Sequence, residues 1–378
     1  VDSPTTEDRD RVTADAAAAE AATPAGNDRP SGRGASGWIV RAAFVAVGVF
    51  VVSRIAHPSD FAKAVTLVRR AGWPLLFVLC STGIGMGIDA HGWQLILRAI
   101  GQRVPWRPLF VLRLSAEAIV LALPGGAFAG EAMKLALLKK RGGVPVPIGG
   151  ASLALNKASH IGAESIYLAI GATWVGILTL AGMGPPSRIP LLLAAVGCAL
   201  TGLFSGSLFI LLRDASMADR LARLLGRIPI ARFRRAIQSR RDGFIELDRT
   251  TRAFFDAPLR LRARAVAVFV LEWLVEGAET LLILRCLGSS LGIGSILVMD
   301  GAGSLLRALV FFVPAGLGFQ DAAHILLLRW LGVEDATALG AALIVAKRSK
   351  EVFWVVTGAS FLAVKRDKWR ESSSSAAR

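Results

Sequence analysis

Polar and apolar positions along the chain fall into long blocks. They show neither the alternation of strands nor the one-sided stripes of soluble helices. Apolar runs close to the roughly 20 residues that span a bilayer as a helix occupy 38–55, 74–97, 146–181, 189–212, 265–287 and 338–364, and each predicts a transmembrane helix. Two shorter apolar stretches, 109–123 and 291–313, run straight into PGGAFAGEAMKLALLKKRGG (124–143) and PAGLGFQDAAHILLLRWLG (314–332). Pro and Gly there predict broken helical hairpins at about 109–140 and 291–331. In residues 56–73, Lys63, Arg69 and Arg70 are spaced among Phe61, Val65, Leu67 and Val68, the pattern of a short amphipathic helix at the interface. Residues 1–37 carry no apolar periodicity and read as a disordered cytoplasmic tail. That tail is too long and too acidic for the n-region of a signal peptide, so the first apolar run is expected to stay as an anchor.

Composition removes the alternative of two soluble domains. Hydrophobic residues make up 53% and charged residues 19% of 378, with a mean hydropathy of +0.53, more apolar chain than a water-facing shell could cover. The fold class expected is therefore an all-α polytopic membrane protein, with about six full transmembrane helices and two re-entrant helical hairpins. The net charge of +16 then points to cytoplasmic loops beside anionic lipid. Its densest part is 213–264, with 14 Arg against six acidic residues and with Leu221, Leu224, Leu225 and Ile228 at helical spacing. This segment is expected to be cytoplasmic, amphipathic and in contact with anionic lipid headgroups. It has no aromatic stacking platform, so nucleic acid is not an expected partner. KRDKWR at 365–370 leads into a cytoplasmic tail, 366–378. Cys80, Cys198 and Cys286 lie in apolar runs and read as small buried hydrophobes. The four His are scattered, so no metal site is expected, and no phosphate-loop or dinucleotide motif calls for a cofactor.

The two hairpins belong to an internal repeat. Shifted by 190, the chain aligns with itself without a gap: Pro124 falls on Pro314, Gly126 on Gly316, Glu131 on Asp321, Gly142 on Gly332, Lys157 on Lys347 and Ser159 on Ser349. From 118 to 159, 13 of 42 pairs are identical, and the Pro, Gly, Lys and acidic matches in one register set it apart from chance Leu and Ala matches. Charge placement orients the halves, 38–212 and 265–365. If each hairpin enters and leaves by one face, Lys139, Lys140, Arg141, 213–264 and both termini all fall in the cytoplasm. Three crossings separate the hairpins, so the repeats are expected to be inverted, the architecture of many alternating-access carriers. Free backbone N–H groups at the broken ends would suit an anion.

Charges inside apolar runs are the candidate chemistry, because each costs at least about 2.5–3.5 kcal/mol at mid-bilayer and must face a cavity or a partner. Glu131 and Lys134 stand three apart after the first break, with Asp321 and His324 as counterparts. Lys157, His160 and Glu164 form one stripe; Lys347, Lys350 and Glu351 form another. Glu272 and Glu279 are expected near the membrane edge in a structural role.

At PGGAFAGEAMKLALL, FFVPAGLGFQDAAHILLL and AKRSKEVFW, over most of 38–365, the chain resembles the flippase-like membrane family. That family includes the transmembrane region of lysylphosphatidylglycerol synthases and hopanoid-biosynthesis-associated membrane proteins. The resemblance implies movement of a lipid with an anionic or modified headgroup between leaflets of the bacterial inner membrane. Carried over by motif, the headgroup residues are Gly125, Gly126, Glu131 and Lys134, then Pro314, Gly316, Gly318, Gln320 and Asp321, with Lys347 and Arg348 beyond; Lys157 joins them as a further cation. Asp321 stands where Glu is the more familiar residue. The aminoacyl-transferase domain of the synthases is not among these residues, so the protein is not expected to be an enzyme. The rival readings are a membrane enzyme of lipid or glycan modification and a non-transporting scaffold for lipid synthesis. A homo-oligomer or a lipid-synthesis protein are the protein partners this reading allows.

Overall fold

Helices make up nearly all of the computed structural model, which describes residues 58–122, 126–182, 188–214, 216–225, 235, 237–309 and 319–363; no strand occurs among them. In chain order the α-helices are α1 (Pro58–Ala71), α2 (Phe77–Ala99), α3 (Trp106–Ala122), α4 (Gly126–Gly142), α5 (Val146–Leu180) and α6 (Ile189–Arg213), then α7 (Met217–Leu225), α8 (Arg241–Asp256), α9 (Leu259–Cys286), α10 (Ile293–Leu309), α11 (Phe319–Trp330) and α12 (Ala336–Ala363). The expected span at 38–55, both tails, and the hairpin turns with Pro124, Gly125, Pro314, Gly316 and Gly318 lie outside the described residues.

Local chemistry sets many of the boundaries. Pro147 and Pro190 sit in the first turns of α5 and α6, where a missing N–H costs nothing. The chain leaves α4 and α11 through Gly143 and Gly332, at φ 68 and 83, a left-handed conformation that other residues adopt only with strain. α9 starts six residues before the expected 265. Pro258 at its N-cap (φ −52, ψ 133) allows the earlier start, and Leu259 and Leu261 add apolar positions to the first turn. Arg260, Arg262 and Arg264 therefore ride on a long helix instead of in a loop, where their stems can reach towards an interface.

Among the described residues, three helical stretches are both long and apolar enough to cross a bilayer: Trp73–Ala99, Val146–Leu180 and Ile189–Arg213. α5 alone has 35 residues, about 52 Å at 1.5 Å per residue, against a hydrocarbon thickness of about 30 Å. α9 and α12, with 28 residues each, have the length, but charged side chains interrupt them. Leu180, Leu192, Leu203, Phe204 and Ile210 stand exposed on α5 and α6, and Val352 and Val356 on α12. A water-soluble monomer does not present so continuous an apolar surface; a bilayer covers it. Cys80 is exposed, and Cys198 and Cys286 are half-buried, so the cysteines are not the buried hydrophobes expected. On helices with lipid outside, an apolar position need not point inward.

Two buried cores hold the helices. The first joins Trp93, Leu112, Leu138, Leu155, Tyr167, Phe269 and Trp273. The second joins Ile283, Leu284, Met299, Leu327, Leu328, Leu339 and Leu343. α9 contributes to both, and it packs along α2 so closely that a Cβ on Gly92 would lie 2.6 Å from the Phe269 ring. α3 and α4 pack as a hairpin; a Cβ on Gly126 would lie 2.2 Å from the Val120 carbonyl oxygen. α11 lies on α12, and α3 also lies on α12. Amphipathic α1 rests on α12, and α8 rests on α5. In the basic segment, the Asp248 carboxylate of α8 accepts hydrogen bonds from the Ala218 and Asp219 N–H groups at the start of α7, 2.8 and 3.0 Å. Nearby, the Ser216 hydroxyl and N–H hold the Asp214 carboxyl below the usual aspartate range.

Candidate functional site

The charged positions of the long helices gather inside the bundle in two polar clusters. In the first, Asp89 of α2 is buried and accepts from the Arg113 guanidinium of α3. Arg113 also bridges to Glu117 one turn along its own helix. Asn156 Nδ2 of α5 stands 3.5 Å from the other Asp89 oxygen. Lys134 and His160 are close enough to act on Asp89 electrostatically. Lys134 is itself buried and donates to Glu131 at 3.0 Å. His160 Nε2 lies 3.4 Å from Glu272 Oε2 of α9. The pair is within ion-pair range but not aligned as a hydrogen bond, and that carboxylate oxygen is buried with no hydrogen-bond partner. Rings close one side: His160 sits 5.3 Å from Trp273 and 5.7 Å from Phe269, and Tyr167 stacks on Trp273.

The second cluster lies further along α9. Glu279 is buried, pairs with Lys350 of α12, and accepts from the Ser81 and Thr82 hydroxyls of α2 at 2.8 and 2.9 Å. Lys347 donates to the Thr280 hydroxyl at 3.2 Å, within electrostatic reach of Glu276, Glu279 and Asp300. Arg348 binds Asp321 of α11 at 2.8 Å and Glu351 at 2.6 Å. Tyr167 donates to Asp300 at 2.7 Å, which ties α5 to α10. An unpaired charge in hydrocarbon is costly, so this degree of pairing is what such positions require.

Of the residues singled out from sequence, the structure brings Glu131 and Lys134 together in the first group. It brings Asp321 and Arg348 together, with Lys347 nearby, in the second. Gln320 is half-buried, and its carbonyl oxygen accepts from His324 Nδ1 at 2.7 Å. Gly126 serves the close approach of α3 and α4. Lys157 is exposed, one turn before His160. Glu272 and Glu279 both turn into the bundle: Glu272 stands mid-helix in α9 opposite His160, and Glu279 pairs with Lys350, the kind of contact a structural role requires. Asp89 and Glu279 stand 190 positions apart, as do His160 and Lys350, so the repeat register already contained this signal.

Apart from the charges, an apolar groove of about 880 Å³ runs between α2, α9 and α12, lined by Ile84, Ile88, Phe110, Leu271, Phe353 and Trp354 among others.

An all-helical bundle with lipid-facing flanks and paired charges inside defines a polytopic membrane protein. The match to the family model described as "Lysylphosphatidylglycerol synthase TM region" covers residues 38–349, so the chain belongs to that family of membrane lipid biology. No curated protein and no solved structure matches it.

Proposed function

We propose that the protein moves a membrane lipid with an anionic or modified headgroup between the leaflets of the bacterial inner membrane. The observation that carries this reading is the gathering of charged side chains inside helices whose outer faces are apolar. Intramembrane charges of this kind mark a path for a polar group. The headgroup meets Glu131 and Lys134 in one half and Asp321, Lys347 and Arg348 in the other, while its acyl chains stay in hydrocarbon. The protein acts as a transporter, not as an enzyme. The halves are inverted repeats with re-entrant hairpins. Support comes from helix bounds that recur near the 190 spacing, with α5 starting at 146 and α12 at 336, and from α8 and α1 resting on those two helices. Both termini and helices α7 and α8 face the cytoplasm, with the arginines of the basic segment 213–264 against anionic lipid.

The test is a leaflet-resolved lipid assay in reconstituted vesicles. Wild type should exceed empty vesicles, and Glu131→Gln and Asp321→Asn should each be slower by about tenfold, as expected for loss of one charged contact worth about 1.5 kcal/mol or more. Equal rates in all three proteins remove the headgroup assignment. A change in lipid mass instead of leaflet selects an enzyme. The inverted arrangement has its own test. After replacement of Cys80, Cys198 and Cys286, single cysteines at Lys140 and Arg329 should label from opposite compartments; labelling from one compartment ends that reading.

A further inference from the structure

The first cluster holds a titratable pair that the headgroup assignment does not use. We infer that His160 and Glu272 form a proton-binding site, and that proton exchange there drives the lipid movement proposed above; the coupling rests on that reading, whereas the proton binding does not.

The geometry is that of a proton acceptor. An imidazole nitrogen faces a carboxylate oxygen at 3.4 Å, across the contact between α5 and α9, and the oxygen has no other hydrogen-bond partner. One nitrogen and one carboxylate are the wrong donor set for Ca²⁺ or Mg²⁺, which take six or more oxygens, but they suit a proton. With a proton on Nε2, imidazolium and carboxylate form an ion pair. Without it, the α5–α9 contact holds a carboxylate that Arg113 reaches only through longer-range electrostatics. The proton comes from water on one side of the membrane and returns to water on the other; no bond between heavy atoms forms or breaks.

The surroundings keep the pair selective and connected. Asp89 faces it from α2, the Arg113–Glu117 pair from α3, and Lys134 from α4. On α5 itself Lys157 and Glu164 lie one turn to either side. α6 offers the Ser205 hydroxyl, bonded to the Ala158 carbonyl, and the Cys198 thiol, bonded to the Ser165 carbonyl; α8 meets α5 near its start, at Pro147 and Gly150; and Asp300 of α10 is held by Tyr167, two turns on. Phe269 and Trp273 wall one side. α9 carries Glu272 into the same helix face as Glu276 and Glu279, so a change at the pair reaches the second cluster through one rigid element.

The repeat supplies an internal control. At the 190 spacing, His160 corresponds to Lys350 and Glu272 to Thr82. The second cluster thus pairs an amine with Glu279 and fills the remaining position with a hydroxyl. At the position of that amine the first cluster carries an imidazole, the side chain whose unperturbed pKa lies near neutral pH.

Two measurements separate the parts. In the full-length protein in nanodiscs, a ¹³C-histidine resonance absent from His160→Gln should titrate between pH 5 and 9, and its midpoint should move in Glu272→Gln. No titration, or a midpoint indifferent to Glu272, overturns the proton site whether or not lipid moves. In vesicles, one coupled proton allows a gradient of one pH unit to bias leaflet occupancy by up to tenfold, and that bias should vanish in both variants. Lipid movement indifferent to the gradient in wild type, or a full bias in either variant, overturns the coupling and leaves the transport reading standing.

Discussion

The two polar clusters are built on one plan and differ in what can change. Each has a buried carboxylate, Asp89 on α2 and Glu279 on α9, and at the matching turn of a later long helix stands a basic residue: His160, within electrostatic reach of Asp89, and Lys350, paired with Glu279. In the second cluster the corresponding partners are an amine, a carboxylate and two hydroxyls: Lys350, Glu279, Ser81 and Thr82. In the first, a second carboxylate, Glu272, replaces a hydroxyl position, and an imidazole replaces the amine. A duplicated framework thereby gives one half an ion pair that fastens helices and the other half a pair whose attraction depends on a proton.

The largest effect should follow from breaking the fixed pair. Glu279→Ala strands the Lys350 amine in the interior, while the Ser81 and Thr82 hydroxyls fall back on the Val78 carbonyl oxygen. Removing one partner of a buried pair costs about 3–5 kcal/mol. Asp89→Ala should cost less, because Arg113 keeps Glu117. Thermal unfolding in detergent should rank Glu279→Ala below Asp89→Ala, and Glu279→Leu combined with Lys350→Met should recover most of the loss. An equal or reversed ranking would dissolve the contrast between a locked and an adjustable cluster.

A smaller change converts one cluster into the other. His160→Lys places a permanent cation opposite Glu272, as Lys350 stands opposite Glu279. Stability should stay close to wild type, since the ion pair survives. The lipid asymmetry produced by one unit of pH gradient should fall by up to tenfold, about 1.4 kcal/mol. A variant that unfolds early would show that the imidazole does something an ammonium group does not capture, and one that keeps the gradient response would show that the coupling does not run through the imidazole.

Much of this was legible in the residues, and the limits have physical causes. Blocks of apolar residues gave α2, α5 and α6 nearly to their ends, because helices flanked by lipid and by a packed core are apolar along most of their length. Glu131 with Lys134 could be paired from a spacing of three, a local relation. Asp321 with Arg348 and Glu272 with His160 join separate helices, and periodicity within one helix carries no distance to another. The partners of Glu272 and Glu279 lie on other helices, so the sequence of α9 alone does not give them. The repeat carries part of that signal: Glu279 falls on Asp89, which stands inside an apolar run.

The last and smallest contrast concerns packing, where the repeat is imperfect. Gly150 and Gly340 occupy the same repeat position, yet their neighbours differ. A Cβ on Gly340 would lie 2.6 Å from Ile325 Cγ1 and 3.2 Å from its Cα, so α11 would have to move off α12. A Cβ on Gly150 would meet only Leu247, at 3.8 Å, an ordinary contact. In the first half the close approach has shifted one residue, to Gly149, whose Cβ would lie 2.8 Å from Leu135, the counterpart of Ile325. Overpacking costs about 1–3 kcal/mol, and alanine regains up to about 1 kcal/mol of helix preference over glycine. Gly340→Ala should therefore lose about 1 kcal/mol in thermal unfolding, whereas Gly150→Ala should be neutral or more stable than wild type. Gly149→Ala should behave like Gly340→Ala. If Gly150→Ala proves as costly as Gly340→Ala, the two hairpin helices seat on their long partners in the same register, and the one-residue offset between the halves is wrong.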